Sequence, residues 1–359
     1  MVVSCSVLLG CAPRPTLNSI PDSGDLDTKP VFIATTRQAD DHGGFGPERE
    51  QTVSYLRYDI SYPPNRPAGK IGGFGQTIDP DTQFLKVGSA GYSGATAFRQ
   101  NLSSVLKTNS PDDREVLIYV HGYNNAFDEG VLRLTQLTDD LNLTGVAVHY
   151  SWPSAAHPLA YAYDQDSVLF ARDGLEDLIA QVHAAGARRV VIAAHSMGGM
   201  LVVEALRQMD IARPGSVGKS IDGVVLLSPD IDVEVFKAQL SRIQDLPQPF
   251  ILFVSHRDRA LSLAGHLTGQ RERLGNIRNY SELAGLDLTI LDVTQFSRGI
   301  GHFALGDSVA LLQFVSNLPQ LEQAFRSDSS GRSGIVPGMV LVVQNTAEVI
   351  ISSTVHLVQ

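Results

Sequence analysis

The chain has 359 residues, of which 43% are hydrophobic and 18% charged, so its apolar side chains suffice for one large core. Its 28 basic and 38 acidic residues give a net charge of −10 without a basic run, which argues against a general nucleic-acid binder. Both cysteines, Cys5 and Cys11, lie near the amino terminus, so the remaining chain has no thiol for a disulfide, a metal site or a nucleophile.

Residues 1–30 resemble the end of a bacterial lipoprotein signal followed by a linker. A short apolar stretch ends in Leu8-Leu9-Gly10-Cys11, and a segment rich in Pro, Ser and Asp follows. A lipidated Cys11 would anchor the domain to a membrane of the cell envelope, facing the periplasm. However, a signal has a basic n-region and a longer apolar stretch, which this start lacks. Either the true start lies upstream, or the match is accidental and the protein is cytoplasmic.

From residue 31 the chain alternates buried-strand patterns with amphipathic helical patterns. Strands are predicted at 31–37, 55–62, 116–120, 145–151, 189–194, 222–228, 250–255 and 288–293. Helices are predicted at 94–108, 127–141, 164–185, 198–209 and 306–325. This alternation is typical of βαβ units and a mostly parallel sheet with helices on both faces. We therefore expect one α/β domain over residues 31–328, with a small N-terminal β elaboration.

The segment 329–359 remains unassigned in function. Its apolar runs Met339–Val343 and Val349–Ile351 are rich in β-branched residues, which favours a β-hairpin over a helix. No apolar run in the body of the chain reaches membrane-spanning length.

The clearest chemical signal is the segment A-H-S-M-G-G, in which a predicted strand meets a predicted helix. Ser196 would stand at the apex of a sharp turn, the nucleophile elbow G-x-S-x-G, with Ala194 at the first position. Small residues at 194 and 198 let strand and helix approach, and the helix N-terminus directs its partial positive charge at the serine. The alternative is a packing junction without chemistry, but the strand before and the helix after favour a nucleophile.

A serine nucleophile needs a base, and the base needs an orienting acid. In this arrangement the order along the chain is serine, acid, histidine. The histidines after Ser196 are His256, His266, His302 and His356. Because His302 follows the predicted strand 288–293, on the sheet edge where a catalytic loop belongs, we expect it to be the base. The alternative is a surface-loop histidine.

Two aspartates compete for the role of the acid. Asp258 follows the predicted strand 250–255, and Asp230 follows the predicted strand 222–228. The acid usually follows the penultimate strand and the histidine the last one, so Asp258 is expected and Asp230 is the alternative. The sequence S-P-D before a helical run would also suit Asp230 as a helix N-cap.

Hydrolysis by a serine nucleophile further requires N–H donors that stabilise the tetrahedral oxyanion. The residue after the nucleophile, Met197, should supply one backbone N–H. The second should come from the loop His121–Asn125 after a predicted strand, where we assign the N–H of Tyr123. The side chain of His121 is expected to support this loop rather than to react.

Three aromatic residues, Trp152, Tyr161 and Tyr163, either line or cap the pocket or pack above a strand end. The stretch 262–281, between the expected acid and histidine, could form part of a cap. The expected chemistry requires no metal and no diffusible cofactor.

Seven stretches resemble, in family order, a bacterial α/β-hydrolase family of unknown function that is described as esterase- or lipase-like. They are 31–37, 119–125, 150–154, 193–199, 228–236, 254–261 and 301–302. The resemblance implies the α/β-hydrolase fold and a Ser–Asp–His triad at Ser196, Asp258 and His302. It implies no particular substrate.

We therefore expect a serine hydrolase that cleaves carboxylic esters of a small molecule or lipid through an acyl-enzyme. One alternative is an acyltransferase or thioesterase that uses the same triad. A second alternative, from another class, is a non-catalytic envelope lipoprotein that keeps the scaffold for binding. The oligomeric state stays open.

Overall fold

The strand Arg189–His195, which directly precedes the predicted nucleophile, lies near the middle of a mixed sheet. The structure is a computed structural model that describes residues 14–21, 24, 26–41, 43–72, 77–269, 272–297, 301–302, 304–316, 339–345 and 348–353. The strands are β1 (Thr28–Ala39), β2 (Phe45–Ser61), β3 (Leu85–Tyr92), β4 (Glu115–Val120), β5 (Val146–Ser151), β6 (Arg189–His195), β7 (Gly223–Leu227), β8 (Phe250–Val254), β9 (Thr289–Asp292), β10 (Met339–Asn345) and β11 (Glu348–Ser353).

The strand order is β11-β10-β9-β8-β7-β6-β4-β5-β1-β2-β3. All pairs from β10 to β1 are parallel, whereas β2, β3 and β11 are added antiparallel at the two ends. Parallel strands need crossover connections, and helices supply most of them. This architecture confirms the predicted α/β-hydrolase fold with its small N-terminal β elaboration.

The helices cover both faces of the sheet. They are α1 (Ala95–Leu106), α2 (Phe127–Asp140), α3 (Tyr161–Ala184), α4 (Met197–Ala212), α5 (Val217–Ser220), α6 (Val233–Leu240), α7 (Arg259–Leu267), α8 (Ala304–Asp307) and α9 (Val309–Ser316). Short 3-10 helices lie at Pro111–Asp113, Leu274–Asn276, Tyr280–Leu283 and Thr294–Phe296. None of the helices described here is long and apolar enough to span a bilayer.

Alternate residues of the central strands feed two separate apolar clusters. In β4, Val116, Ile118 and Val120 join a cluster that includes side chains of α1, α3, α4 and α6. Leu117 and Tyr119 point the other way and join a cluster with α2 and α9. Because successive side chains of a strand face opposite sides, such a doubly covered strand is apolar throughout.

The ends of the sheet differ from the sequence predictions. Strand β3 was not predicted, since its glycine-containing sequence shows no clear alternation and its side chains are mostly exposed or half-buried. The predicted hairpin is confirmed as β10 and β11, and β10 pairs with β9, so part of the unassigned segment extends the sheet. The predicted helix 306–325 is found as α8 and α9 as far as Ser316, and its remainder lies outside the described residues.

Candidate active site

Ser196 lies at the tight junction between β6 and α4. Its φ of 52° and ψ of −123° are strained for a residue with a side chain, and the surrounding backbone holds it there. Its N–H donates to the carbonyl of Leu227 at 2.9 Å, and its carbonyl accepts from the N–H groups of Gly199 (3.0 Å) and Asp230 (3.1 Å). These bonds tie the elbow to the end of β7.

Two glycines let the elbow approach the loop after β4. A Cβ at Gly198 would overlap the carbonyl oxygen of His121, so a side chain there would separate α4 from β4. A Cβ at Gly122 would lie 2.9 Å from the Cβ of Ser196. The loop that should carry the second oxyanion donor therefore lies directly against the serine.

His302 is hydrogen-bonded to Asp258, which lies in the loop after β8 and precedes α7. Its Nδ1 lies 2.8 Å from Oδ2 of Asp258, whose side chain is fully buried. The other carboxylate oxygen of Asp258 accepts from the N–H of Leu261 at 2.9 Å and thereby caps α7. A carboxylate can only accept, so His302 donates from Nδ1, which leaves its Nε2 available as a base.

His302 also contacts the residue before the serine. Its carbonyl lies 3.2 Å from Nε2 of His195, and the two rings are 4.7 Å apart. Burial, and then the proximity of His302, lower the pKa of His195 well below its ordinary value. The hydrogen bonds of the described residues include none between the Ser196 hydroxyl and His302, a bond that commonly tightens only when substrate binds.

Asp230 has other partners. Its Oδ1 accepts from Nε of Arg273 at 2.6 Å, and its Oδ2 accepts from the hydroxyl of Tyr161 at 2.9 Å. Both members of the Asp230–Arg273 pair are buried. The alternative role of Asp230 as a helix N-cap is wrong, because the cap of α6 is Asp232, which accepts from the N–H of Val235. His302 and Arg273 thus form hydrogen bonds with different aspartates, Asp258 and Asp230.

The two expected oxyanion donors lie on the elbow and on the loop after β4. Met197 is the first residue of α4, and a helix offers no internal acceptor to its first N–H groups. In the loop, the N–H of Asn124 donates to Asp164 and that of Asn125 donates to Ser154, both at 3.1 Å. The N–H of Tyr123 has no acceptor within the described part of the chain.

A buried arginine that the sequence analysis missed holds this loop. Arg37, in β1, donates to the hydroxyl of Ser151 (3.0 Å) and to the carbonyls of Ser154 (3.0 Å) and Asn125 (2.8 Å). Its burial lowers the guanidinium pKa to about 10, although the charge of Asp164 partly offsets this effect. The sequence feature that could have indicated this role is the charge of Arg37 at the end of the predicted strand 31–37, whose other residues are uncharged.

Asp164 completes the buried network. It accepts from the hydroxyl of Ser154 at 2.6 Å and from the N–H of Ala155 at 2.7 Å, in addition to the N–H of Asn124. Burial raises the pKa of Asp164, while these donors and Arg37 favour its charged form. The loops after β4 and β5 are thus fixed to one another.

His121 and Trp152 pack beneath the same loop. Their rings stack at 4.8 Å, and Trp152 Nε1 donates to the carbonyl of His121 at 2.7 Å. Burial, and then Arg37, lower the pKa of His121 well below its ordinary value. Both residues are fully buried, so Trp152 packs above the strand end instead of lining a pocket, and His121 supports the loop as expected.

The other predicted pocket residues are divided between two places. Tyr161 lies 5.4 Å from Tyr123, ring to ring, beside the elbow. Tyr163 instead donates to the carbonyl of Pro47, beneath Arg49. The stretch 262–281 returns to the sheet edge, where the carbonyl of Gly275 accepts from the N–H of Ser255. Cys11 lies outside the described residues.

A cavity of about 520 Å³ opens beside His302. Its wall is completed by Ala68, Lys70, Phe296, Gly301, Asp307, Ser308, Val309, Ala310 and Gln313. No cluster of His, Cys, Asp or Glu suited to a metal ion occurs among the residues with described positions.

The fold and the elbow define the class of protein as an α/β-hydrolase. A model of the family described as alpha/beta hydrolase of unknown function (DUF900) matches residues 94–316. The chain belongs to this family. The matched range includes the elbow serine, Asp258 and His302, whereas β1, with Arg37, lies before it.

Solved structures of hydrolases show distant similarity. A predicted CIB-like hydrolase from Thermoplasma acidophilum is 20% identical, with a TM-score of 0.34 over 58% of this chain and 90% of the other. Dienelactone hydrolase from Anabaena variabilis is 12% identical, with a TM-score of 0.36 over 74% of this chain and 94% of the other. An esterase from Pyrobaculum calidifontis is 11% identical, with a TM-score of 0.32 over 74% of this chain and 75% of the other. Among curated proteins the chain has no match.

Proposed function

We propose that the protein is a serine hydrolase that cleaves carboxylic esters through an acyl-enzyme. The observation that carries this proposal is the hydrogen bond from His302 to Asp258 beside a strained elbow with Ser196 at its apex. Backbone strain at a buried residue, maintained by the surrounding structure, is typical of a functional position. The histidine tautomer leaves a basic nitrogen free, as the serine requires.

In the first half of the reaction, Ser196 Oγ attacks the ester carbonyl while His302 Nε2 takes the hydroxyl proton. The N–H groups of Met197 and Tyr123 stabilise the negative charge on the carbonyl oxygen. His302 then gives the proton to the leaving alcohol, and the acyl group stays on Ser196. Asp258 orients His302 and stabilises its cationic form.

In the second half, water replaces the alcohol. His302 takes a proton from water as its oxygen attacks the acyl carbon, and the same N–H groups bind the second oxyanion. Collapse of the intermediate breaks the bond to Ser196, which regains its proton from His302. The products are one carboxylic acid and one alcohol.

The test is hydrolysis of p-nitrophenyl esters of short and long acyl chains. Ser196→Ala should lower kcat by at least about 10³-fold, because no other group can form the acyl-enzyme. Ser228→Ala is the matched control, since Ser228 is also buried, has a φ of 47° and follows the neighbouring strand β7. It should keep kcat within a few-fold of wild type. Absence of turnover by the wild type, or full activity of Ser196→Ala, would overturn the proposal.

We also propose that Cys11 carries the acyl chains of a lipoprotein. Arg14, three residues later, donates to the side chain of Asn124 at 2.6 Å and to the carbonyl of Ala156 at 2.8 Å. Three extended residues span only about 10 Å, so the anchor would hold the oxyanion loop close to the bilayer. Membrane fractionation and intact mass test this: Cys11→Ser should release the protein, and an unmodified soluble wild type would contradict it.

A further inference from the structure

A second cavity, of about 500 Å³, adjoins the loops that carry Asp258 and His302. Its lining residues are polar or glycine, and none is acidic: His256, Arg257, Arg259, Ser262, Ser297 and Gly301. This lining carries two arginines and no carboxylate, although the chain has a net charge of −10. Its chemistry is that of an anion site, with guanidinium and hydroxyl donors.

Among the described residues, neither arginine of this cavity has an acidic partner that would neutralise it. Arg257 and Arg259 are exposed, and neither makes an ion pair with a residue whose position is described. Each flanks Asp258, whose side chain is turned inward to His302. Both guanidinium groups therefore remain available to an anion at the cavity.

The wall behind the arginines is held in place by buried groups. Nε2 of His256 lies 2.7 Å from the hydroxyl of Tyr280, which donates to Asp292 at 2.7 Å. Since that hydroxyl uses its single proton on Asp292, Nε2 of His256 must donate to it. This fixes the ring of His256 and leaves its Nδ1 without an assigned role. Tyr280 and Asp292 are buried.

The opposite wall is equally constrained. The hydroxyls of Ser255 and Ser297 are 2.6 Å apart, and the N–H of Arg257 donates to Ser255 at 3.3 Å. Gly301, with a φ of 72°, packs so closely that an added Cβ would lie 3.2 Å from the carbonyl of Arg257. The loop that carries the histidine thus contacts the loop that carries the acid at the rim of this cavity.

We infer that this cavity is a subsite for an anionic group, a carboxylate or a phosphate, on the ester substrate. The inference rests on the proposed ester hydrolysis and names the substrate class for it. Gly301 directly precedes His302 and lines both this cavity and the larger one beside His302. An anion held by Arg257 and Arg259 would therefore bind beside the loop that carries His302.

The first test compares two p-nitrophenyl esters that differ only at the far end of the acyl chain. The hydrogen adipate ends in a carboxylate and the hexanoate in a methyl group, and an ω-phosphonate analogue forms a third arm. The wild type should prefer one or both anionic esters by kcat/KM, and the arm with the larger preference identifies the anion. Arg257→Gln/Arg259→Gln should reduce that preference roughly 10- to 100-fold, as expected for the loss of charged hydrogen bonds.

The matched control removes two exposed positive charges elsewhere, in Lys237→Gln/Arg242→Gln at the end of α6 and in the turn after it. This variant should keep the wild-type preference. Equal preference in the wild type and in Arg257→Gln/Arg259→Gln, or equal losses in both double variants, would overturn the inference while leaving ester hydrolysis intact.

A binding experiment separates the inference from the proposed function. Ser196→Ala is titrated calorimetrically with adipate and with inorganic phosphate, with and without the two arginine substitutions. Binding that disappears with the arginines supports the anion site, even if the wild type hydrolyses no ester and the proposed function fails. Hydrolysis without arginine-dependent binding of either anion leaves the proposed function standing and removes the subsite.

Discussion

The polar groups on the two sides of Ser196 differ in burial and in the bonds they make. On the side of β8 and β9, the side chain of His302 is 21% exposed and is held through Nδ1 by Asp258. On the side of β1, β4 and β5, Arg37 and Asp164 are sealed from solvent and bonded several times over. We call these the relay side and the loop side.

The difference follows from what each side would have to do. A histidine that gains and loses a proton needs one free nitrogen and room beside a substrate. Backbone donors for an oxyanion must instead be fixed before the reaction, because reorganisation would cost transition-state stabilisation. Substitutions on the relay side should therefore change turnover more than stability, and substitutions on the loop side should change both.

The largest effect is expected for Asp258→Asn. It should lower kcat by roughly 10³- to 10⁴-fold, because an amide does not hold His302 in the required tautomer. Stability should change by only about 1 kcal/mol, since asparagine still caps α7.

Asp230→Asn is the contrasting variant. It weakens the counter-charge of buried Arg273, so it should cost about 3 kcal/mol of unfolding free energy and less than about tenfold in kcat. Kinetics and urea denaturation of both variants test the contrast, which the reverse order would refute.

Arg37→Met tests the loop side. Removing the guanidinium leaves four acceptors without this donor: the buried hydroxyl of Ser151, the buried carbonyl of Ser154, and the partly buried carbonyls of Asn125 and Gly46. We expect a loss of about 3–5 kcal/mol in stability and of roughly 10²-fold in kcat, with KM changed far less.

The control for this variant is Arg49→Met. Arg49 donates to the hydroxyl of Ser167 and to the carbonyl of Tyr163 on α3, without a bond to the oxyanion loop. The Arg49→Met variant should be less stable than the wild type but should keep the wild-type kcat. If both arginine variants lose kcat equally, Arg37 acts on folding alone and does not position the loop.

Gly122→Ala should have a smaller effect at the contact between loop and elbow. The new methyl group would lie 2.7 Å from Nδ1 of His195 and 2.9 Å from the Cβ of Ser196, so the loop or these residues must move apart. Such a shift should reduce kcat by about tenfold. Gly91→Ala, where nothing lies within 4 Å of the added Cβ, should behave like wild type. Unchanged kcat in Gly122→Ala would show that the oxyanion is bound elsewhere.

The last effect concerns the pH dependence of stability on the loop side. His149 donates from Nδ1 to the carbonyl of Tyr119, and its Nε2 is buried against Gly130 with no partner in the described structure. Burial lowers its pKa to about 3 from the usual value of 6.5. Between these values the unfolded chain binds a proton that the folded chain does not, so stability is lost as the pH falls.

His149→Asn keeps the donor to Tyr119 and removes the titration. Between pH 6 and pH 4 the wild type should lose up to about 1.4 kcal/mol more per pH unit than this variant. Denaturation curves across that range measure the difference. Parallel curves for the two proteins would mean that folding does not lower the pKa of His149.

The central strands and the elbow were predictable because their signals are local. Continuous apolar runs predicted β4 and β6, and small residues around Ser196 predicted the turn. The preference for Asp258 over Asp230 came from strand order, and the structure pairs Asp258 with His302. By contrast, Arg37 meets Ser151 and Ser154 across more than 110 residues, and no local pattern reports such a contact.

The sequence did not predict which aspartate caps α6. The pattern S-P-D suggested the N-cap as an alternative role for Asp230, whereas the backbone geometry makes Asp232 the cap. The partner of Asp230, Arg273, lies after α7 in a stretch that the sequence described only as a possible cap. Which side chains pair at the edge of a sheet depends on the paths of the loops that bring them together. The local sequence pattern does not predict these paths.

The most direct test of the nucleophile is covalent labelling with a fluorophosphonate, followed by peptide mapping. The wild type should take up one equivalent, with the adduct on Ser196, and Asp258→Asn should react far more slowly. Asp230→Asn should react at nearly the wild-type rate. No adduct on the wild type, or an adduct on another serine with Ser196 unmodified, would contradict the assignment of Ser196 as the nucleophile.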